Sequence, residues 1–205
     1  MTTLFDYLLW RGDLPLAADP LNEVDGVILA RLSYMPFERI LERESTQPIT
    51  VEETARRLLA LPDIETAVRR RGDTDLLRAL AESPRFGRMA LSAYADRLDA
   101  ESQTQFSAIT VALEPEHTAV IYRGTDNTLI GWKEDFNMGF VCPVPGQLLA
   151  VDYLQRAAER FSGRLTVCGH SKGGNFAVYA AAFCGETVQR RIGTVYNFDG
   201  PGFDS

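Results

Sequence analysis

The chain has two histidines, His117 and His170, and three cysteines with no CxxC pair. It has no Lys/Arg-rich block, no internal repeat and no low-complexity tract. Each scarcity excludes something. An acidic chain of net charge −7 without a basic block argues against nucleic acid as a partner, and weakly against an anionic membrane surface. No apolar run is long enough to span a bilayer. The N-terminal MTTLFDYLLWRGD carries no basic residues ahead of its apolar ones, so it does not read as a signal peptide. Cys142, Cys168 and Cys184, odd in number and widely spaced, read as buried thiols in a reducing, cytoplasmic setting rather than as a disulfide framework. No cluster has metal-ligand spacing. Gly72 and Gly87 are isolated and no GxxxxGK[ST] loop is present, so no metal or cofactor is expected.

What remains is ordinary globular material: 205 residues, 45% hydrophobic and 24% charged, enough for a sizeable core. Residues 1–85 read as a helical segment. Asn22–Leu32 carries an apolar stripe with Asn22 as cap. Thr50-Val-Glu-Glu53 fits a capping box, with Pro62 ending that helix. Asp73–Leu80 forms a third helix, closed at Ser83-Pro84. Residues 86–205 then change character. Met89–Leu98 and Phe106–Leu113 are β-rich and flank the polar DAESQTQ, which predicts a hairpin. Thr118–Tyr122 suits a strand buried on both faces. Pro145–Phe161 predicts a helix, Leu165–Cys168 a strand, Gly173–Phe183 a helix and Thr194–Phe198 a strand. The whole reads as one α/β domain, with a mixed, mostly parallel sheet and helices on both faces.

The stretch TVCGHSKGGNF supplies the chemistry. A strand that turns at once into a helix with Ser171 at the apex needs small residues two positions to either side, and Gly169 and Gly173 give G-x-S-x-G. Gly174 lets the helix pack close to the neighbouring strand. The helix start offers free N–H groups and a positive dipole end, so the Lys172 N–H would face an oxyanion at an attacked carbonyl. His170 diverges from Ser171 at such a turn and reads as a packed, hydrogen-bonded histidine. His117 begins a strand, at the wrong end of the sheet, and reads as surface. A Ser171–Lys172 dyad is disfavoured for the same reason as His170.

The second constellation is VIYRGTDNTLIGWKEDFNMGF, residues 120–140. Its strand ends at Arg123-Gly124-Thr125, beside the end of the Ser171 strand if the two are parallel. Gly124 permits close backbone approach, and Thr125 offers an N–H or hydroxyl as a second oxyanion donor. Arg123 and Asp135 fit a structural ion pair that fixes the loop.

These residues carry a resemblance. RGT, then GW and an Asp, then GHSKGG, then YNFDGPGF resemble the class 3 lipases, which are α/β-hydrolases. A wider set of blocks resembles the Mbeg-like family of bacterial lipase-like hydrolases. They include FDYLLWRGDL, NEVDGVILARLSYMPFE, RFGRMALSAYADRLD, FSAITVAL, YRGTDNTLIGWKEDFNMGF, GHSKGGNFAVYAA and YNFDGPGF. The resemblance implies an α/β-hydrolase fold and a serine esterase acting on a small-molecule acyl ester, with Ser171 as nucleophile. Thr125 and Lys172 would form the oxyanion hole. Asp126–Trp132 would lie where lipases carry a lid, and Leu129, Ile130 and Trp132 would either cover a substrate tail or pack into the core.

Two departures stand out. Lipases usually have an apolar residue at the position of Lys172. Here the lysine either draws an anionic substrate or pairs with Asp135, Glu134 or Asp199. The second concerns the base. The order in this fold is Ser, acid, His. Asp199 is placed to be the acid, or else it bonds the turn backbone or pairs with Lys172; Asp204 is the weaker candidate. No histidine follows residue 170. The expectation is therefore that a C-terminal part is missing and one sheet edge is exposed, open to self-association or to a missing fragment. The alternative function is a non-catalytic scaffold that binds an acyl ligand or a protein partner.

Overall fold

The computed structural model describes residues 3–203. One six-stranded sheet runs in chain order: β1 (Ile49–Thr50), β2 (Ala90–Asp99), β3 (Thr104–Glu114), β4 (His117–Tyr122), β5 (Arg164–His170) and β6 (Ile192–Phe198). Pairing is antiparallel from β1 through β4 and parallel only for β4–β5 and β5–β6. The sheet is thus mixed but mostly antiparallel, which corrects the mostly parallel expectation. Connection length decides it. Residues 100–103 join β2 to β3, and Pro115-Glu116 join β3 to β4, both too short for a crossover. Beyond β4, each connection carries helices and makes a parallel pair, whereas the β1–β2 connection, which also holds helices, returns antiparallel.

The helices are α1 (Leu4–Arg11), α2 (Glu23–Leu32), α3 (Val51–Leu59), α4 (Ile64–Ala67), α5 (Asp73–Glu82), α6 (Leu129–Asn137), α7 (Pro145–Arg160), α8 (Lys172–Phe183) and α9 (Glu186–Gln189). Asn22 caps α2 reciprocally: its side chain accepts from Val24 and Asp25 N–H, and Asp25 accepts from the Asn22 N–H. Thr50 caps α3 through the Glu53 N–H at 3.1 Å, but the expected return bond is absent. The Glu53 carboxylate instead holds Arg56 and Arg57, each at 2.6 Å, which keeps its pKa down at about 2. The two-residue β1 also interrupts the segment read as helical.

Helices cover both faces of the sheet, as expected. In β4, Ala119 and Ile121 point to one face while Val120 and Tyr122 point to the other. The first face packs with Ile109, Val111 and Cys168 against residues of α2, α3 and α5 such as Ile28, Leu58 and Leu77. The second packs with Phe106 and Val167 against Leu154 of α7 and Phe176 of α8. The continuous apolar run of β4 follows from burial on both sides. The N-terminal helices are tied down by a fully buried ion pair, Arg85 with Asp25, in which Arg85 also donates to the Leu14 and Asp19 carbonyls.

β6 ends the sheet, and its residues alternate between half-buried and exposed. Cys168 and Cys184 are buried, but Cys142 is exposed in the loop ahead of α7, against the expectation of a buried thiol. Among the described residues no helix is long and apolar enough to cross a membrane.

Candidate active site

β5 passes into α8 through the single residue Ser171, whose φ of 57° and ψ of −132° lie outside the regions a side chain favours. The Ser171 N–H donates to the Phe198 carbonyl at 2.9 Å, and the Ser171 carbonyl accepts from Gly174 N–H at 2.8 Å. The glycines are sterically required. A Cβ at Gly169 would stand 2.2 Å from the Gly173 oxygen, and one at Gly173 2.2 Å from the Tyr122 oxygen. One at Gly174 would strike Asn197 Oδ1 of β6 at 2.2 Å. Sequence spacing predicts all three close approaches.

A non-glycine residue held in such a conformation stores about 1–3 kcal/mol. Ser171→Gly should therefore raise stability by about 1 kcal/mol, after allowing for the looser unfolded chain of glycine. Ser171→Ala keeps the strain and should leave the urea midpoint nearly unchanged. Equal midpoints for all three proteins would show that the turn is unstrained.

The second constellation converges on the turn. Tyr122 lies opposite Gly169 in the parallel β4–β5 register, so the chain beyond β4 carries Gly124 alongside Ser171. The point where a Cβ of Gly124 would stand is 3.2 Å from Ser171 Cβ and 2.5 Å from the His170 carbonyl oxygen. Thr125 follows, with a buried hydroxyl that has no partner among the described residues. The N–H groups of Thr125 and Lys172 likewise make no hydrogen bond among the described residues. Gly124 is thus brought beside Ser171, with Thr125 next along the chain, and the Thr125 and Lys172 N–H donors are unspent among the described residues.

The Lys172 side chain does something else. It is fully buried, and its ammonium donates to Glu134 Oε2 at 2.8 Å and to the Gln105 carbonyl at 3.0 Å. Glu134 also accepts from the Gln105 N–H at 2.9 Å and the Gly146 N–H at 3.0 Å. Of the three acids named from sequence, Glu134 is the partner, and Asp135 and Asp199 are not. A charge enclosed in this way faces no substrate, so the idea that Lys172 draws an anion is corrected. Burial pushes its pKa down from the ordinary lysine value, opposed chiefly by Glu134. The cluster pins together the start of β3, α6, the start of α7 and the turn.

Arg123 is also buried, but it pairs with Asp96 at 3.1 Å and Asp126 at 3.6 Å, not with Asp135. Asp126 accepts from the Thr128 N–H at 2.9 Å, and Thr128 caps α6 through the Gly131 N–H at 3.0 Å. Leu129, Trp132 and Phe136 form an exposed face on α6, 72%, 64% and 69% accessible, while Ile130 is half-buried. The alternative in which Leu129 and Trp132 pack into the core is therefore excluded.

His170 is packed and hydrogen-bonded, as expected. Its Nδ1 lies 2.9 Å from the Tyr34 hydroxyl. Burial and then Arg70 lower its pKa from the ordinary value. His117 sits at the opposite end of β4, half-buried rather than on the surface, with Nε2 2.8 Å from Thr166 Oγ1. Asp199 is exposed at the end of β6 with φ of 54°, next to the residue whose carbonyl receives the Ser171 N–H. It bonds neither the turn backbone nor Lys172; the Gly200 N–H is held by Asn197 instead. Asp204 lies outside the described residues.

Nothing in the sequence points to Tyr34 or Gln105. Tyr34 lies 136 positions before His170, and its hydroxyl stands 2.3 Å from the Gly124 Cβ point. Only the packing of α2 on β5 brings it there.

A sequence profile of the Mbeg1-like family matches residues 80–205. No curated protein matches the chain. Three solved chains match. One is described as a model for interfacial activation in lipases, from the structure of a fungal lipase–inhibitor complex, at 16% identity and a TM-score of 0.39. The match covers 70% of this chain and 58% of that one, so the chain spans well under two thirds of the fungal lipase's length.

Proposed function

The chain belongs to the Mbeg1-like family, and from that premise we propose that it is a lipase-like serine hydrolase that cleaves a carboxylic ester through a Ser171 acyl-enzyme. The observation that carries this reading is the Ser171 conformation, a strand–helix apex with its hydroxyl uncommitted and Gly124 pressed against it. Ser171 Oγ attacks the ester carbonyl carbon and gives its proton to a base. The carbonyl oxygen becomes an oxyanion facing the Thr125 and Lys172 N–H groups. The alcohol then leaves with a proton, and water later releases the acid. Each oxyanion donor is worth about 10²–10³ in rate. Asp199, at the same sheet edge, is the proposed triad acid. The exposed face of α6, with Leu129 and Trp132 behind Asp126 and the half-buried Ile130 beside them, is the proposed cover for the substrate's apolar part.

A second reading has an observation of its own. His170 engages Tyr34 through Nδ1 and His117 stands at the far end of β4, and neither imidazole hydrogen-bonds Ser171. Without a base, the chain is an acyl-ligand scaffold. Mixing the protein with p-nitrophenyl butyrate separates the two. The hydrolase reading predicts a burst of nitrophenolate of up to one equivalent, with the butyryl group on Ser171. No release above that of Ser171→Ala would favour the scaffold.

A further inference from the structure

We propose that the cavity beside the nucleophile, between α2, Arg70 and the end of β5, binds the anionic end group, a carboxylate or phosphate, of the ester that Ser171 attacks. The inference rests on the hydrolase reading above and extends it to substrate class. The cavity measures about 140 Å³. Val27 and Phe198 give it apolar walls, and Arg31, Arg70, Tyr34 and His170 give it polar ones. Typical sites for drug-sized ligands run to about 300–1,000 Å³, so this one takes an end group and the few carbons that carry it, not an acyl chain.

Of the two arginines at the cavity, Arg70 carries the charge left unpaired among the described residues. In a chain of net charge −7, two arginines line this one cavity. The Arg70 guanidinium lies 4.9 Å over the Tyr34 ring and pairs with no carboxylate among the described residues. Asp73, three positions on, is already engaged by Arg31 at 2.6 Å and by the Arg70 backbone N–H at 2.9 Å. Stacking fixes the planar fork of Arg70 while leaving its donors open, the geometry that suits a carboxylate or phosphate.

The imidazole supplies a further donor. Burial raises the pKa of the Tyr34 phenol, so it stays protonated at neutral pH. The one acceptor its hydroxyl reaches among the described residues is His170 Nδ1. The ring proton then sits on Nε2, leaving an N–H to offer an anion. Asp199 is the carboxylate whose field reaches this ring, against Arg70 and Arg31. The cavity and the nucleophile share a wall: the Tyr34 hydroxyl and Ser171 Cβ both lie within 3.2 Å of the same point beside Gly124. An end group held here and an apolar segment along α6 describe an amphiphilic ester with one acidic end.

The chain's two histidines make the test clean. Glutarate and inorganic phosphate are each titrated into the protein at pH 7.5 while the imidazole resonances are followed by NMR. The His170 signal should move saturably with at least one of them, and that of His117, at the far end of β4, should stay. Arg70→Gln, a change of an exposed side chain, should weaken the response about tenfold or more, the loss expected for one charge-assisted hydrogen bond. No saturable shift, or an undiminished one in Arg70→Gln, overturns the site. A second arm compares acylation of Ser171 by p-nitrophenyl hemiglutarate and butyrate. The hemiglutarate preference should fall about tenfold in Arg70→Gln, with butyrate unchanged. Equal preference in both proteins overturns the link to Ser171. Acylation by neither ester, with the His170 titration still saturating, means that the hydrolase reading has failed and the anion site has not.

Discussion

Gly169→Ala should cost more than about 4 kcal/mol, the range reserved for identifiable structural failures, and should remove the reactive turn with it. The added methyl would stand 2.2 Å from the Gly173 oxygen and 2.3 Å from its carbonyl carbon. Both are backbone atoms of the opening turn of α8, which packs on β4 and β6, so neither can swing aside as a side chain would. The strand and the helix would have to part, and Phe176, buried in the second core, would move with them. Gly72→Ala is the control. It meets nothing within 4 Å and pays only for its φ of 83°, about 1–2 kcal/mol. Urea midpoints that fall equally for the two variants would show that conformation, not contact, selects glycine at 169.

Lys172→Met should destabilise the protein by about 3–5 kcal/mol, because it leaves Glu134 charged and enclosed without its partner. The lost attraction is the smaller part. Glu134 would keep its bonds from the Gln105 and Gly146 N–H groups, yet no cation would offset the desolvated carboxylate. Adding Glu134→Gln to Lys172→Met should recover part of the loss: the charge is gone, and the amide oxygen still accepts from one of the Gln105 and Gly146 N–H groups. The two changes should thus couple by about 1 kcal/mol or more, as contacting residues do. Additive losses would mean that the pair does not interact. A Lys172→Met protein as stable as the native one would place the lysine outside the core.

Much of the fold is legible locally. The hairpin flanking DAESQTQ, the α2 cap at Asn22 and the glycine spacing around Ser171 depend on residues within a few positions of one another, and they come out as the residues dictate. What fails is what depends on connection length or on distant packing. The strand runs are readable, but the strand–helix alternation that follows β4 suggests a parallel sheet, and only the two-residue turn at Pro115-Glu116 shows that β3 and β4 are antiparallel. From sequence, Arg123 reads as an ion-pair partner of Asp135 that fixes the loop, and the fold gives it Asp96 from β2 together with Asp126. Lys172 shows the limit most sharply. A lysine beside a nucleophile invites a role in binding, and only the burial of Glu134 on α6 shows that its charge is spent inside. Among the described residues, the unpaired positive charge in the neighbouring cavity is that of Arg70, which no spacing connects to the turn.

The most direct test of the central claim is whether Ser171 reacts as a nucleophile. The native protein is treated with a fluorophosphonate probe, digested and mapped by mass spectrometry. Ser171 should carry the phosphonyl group after loss of fluoride, and labelling should vanish in Ser171→Ala. No label on Ser171, or equal labelling at another residue in both proteins, would contradict the account.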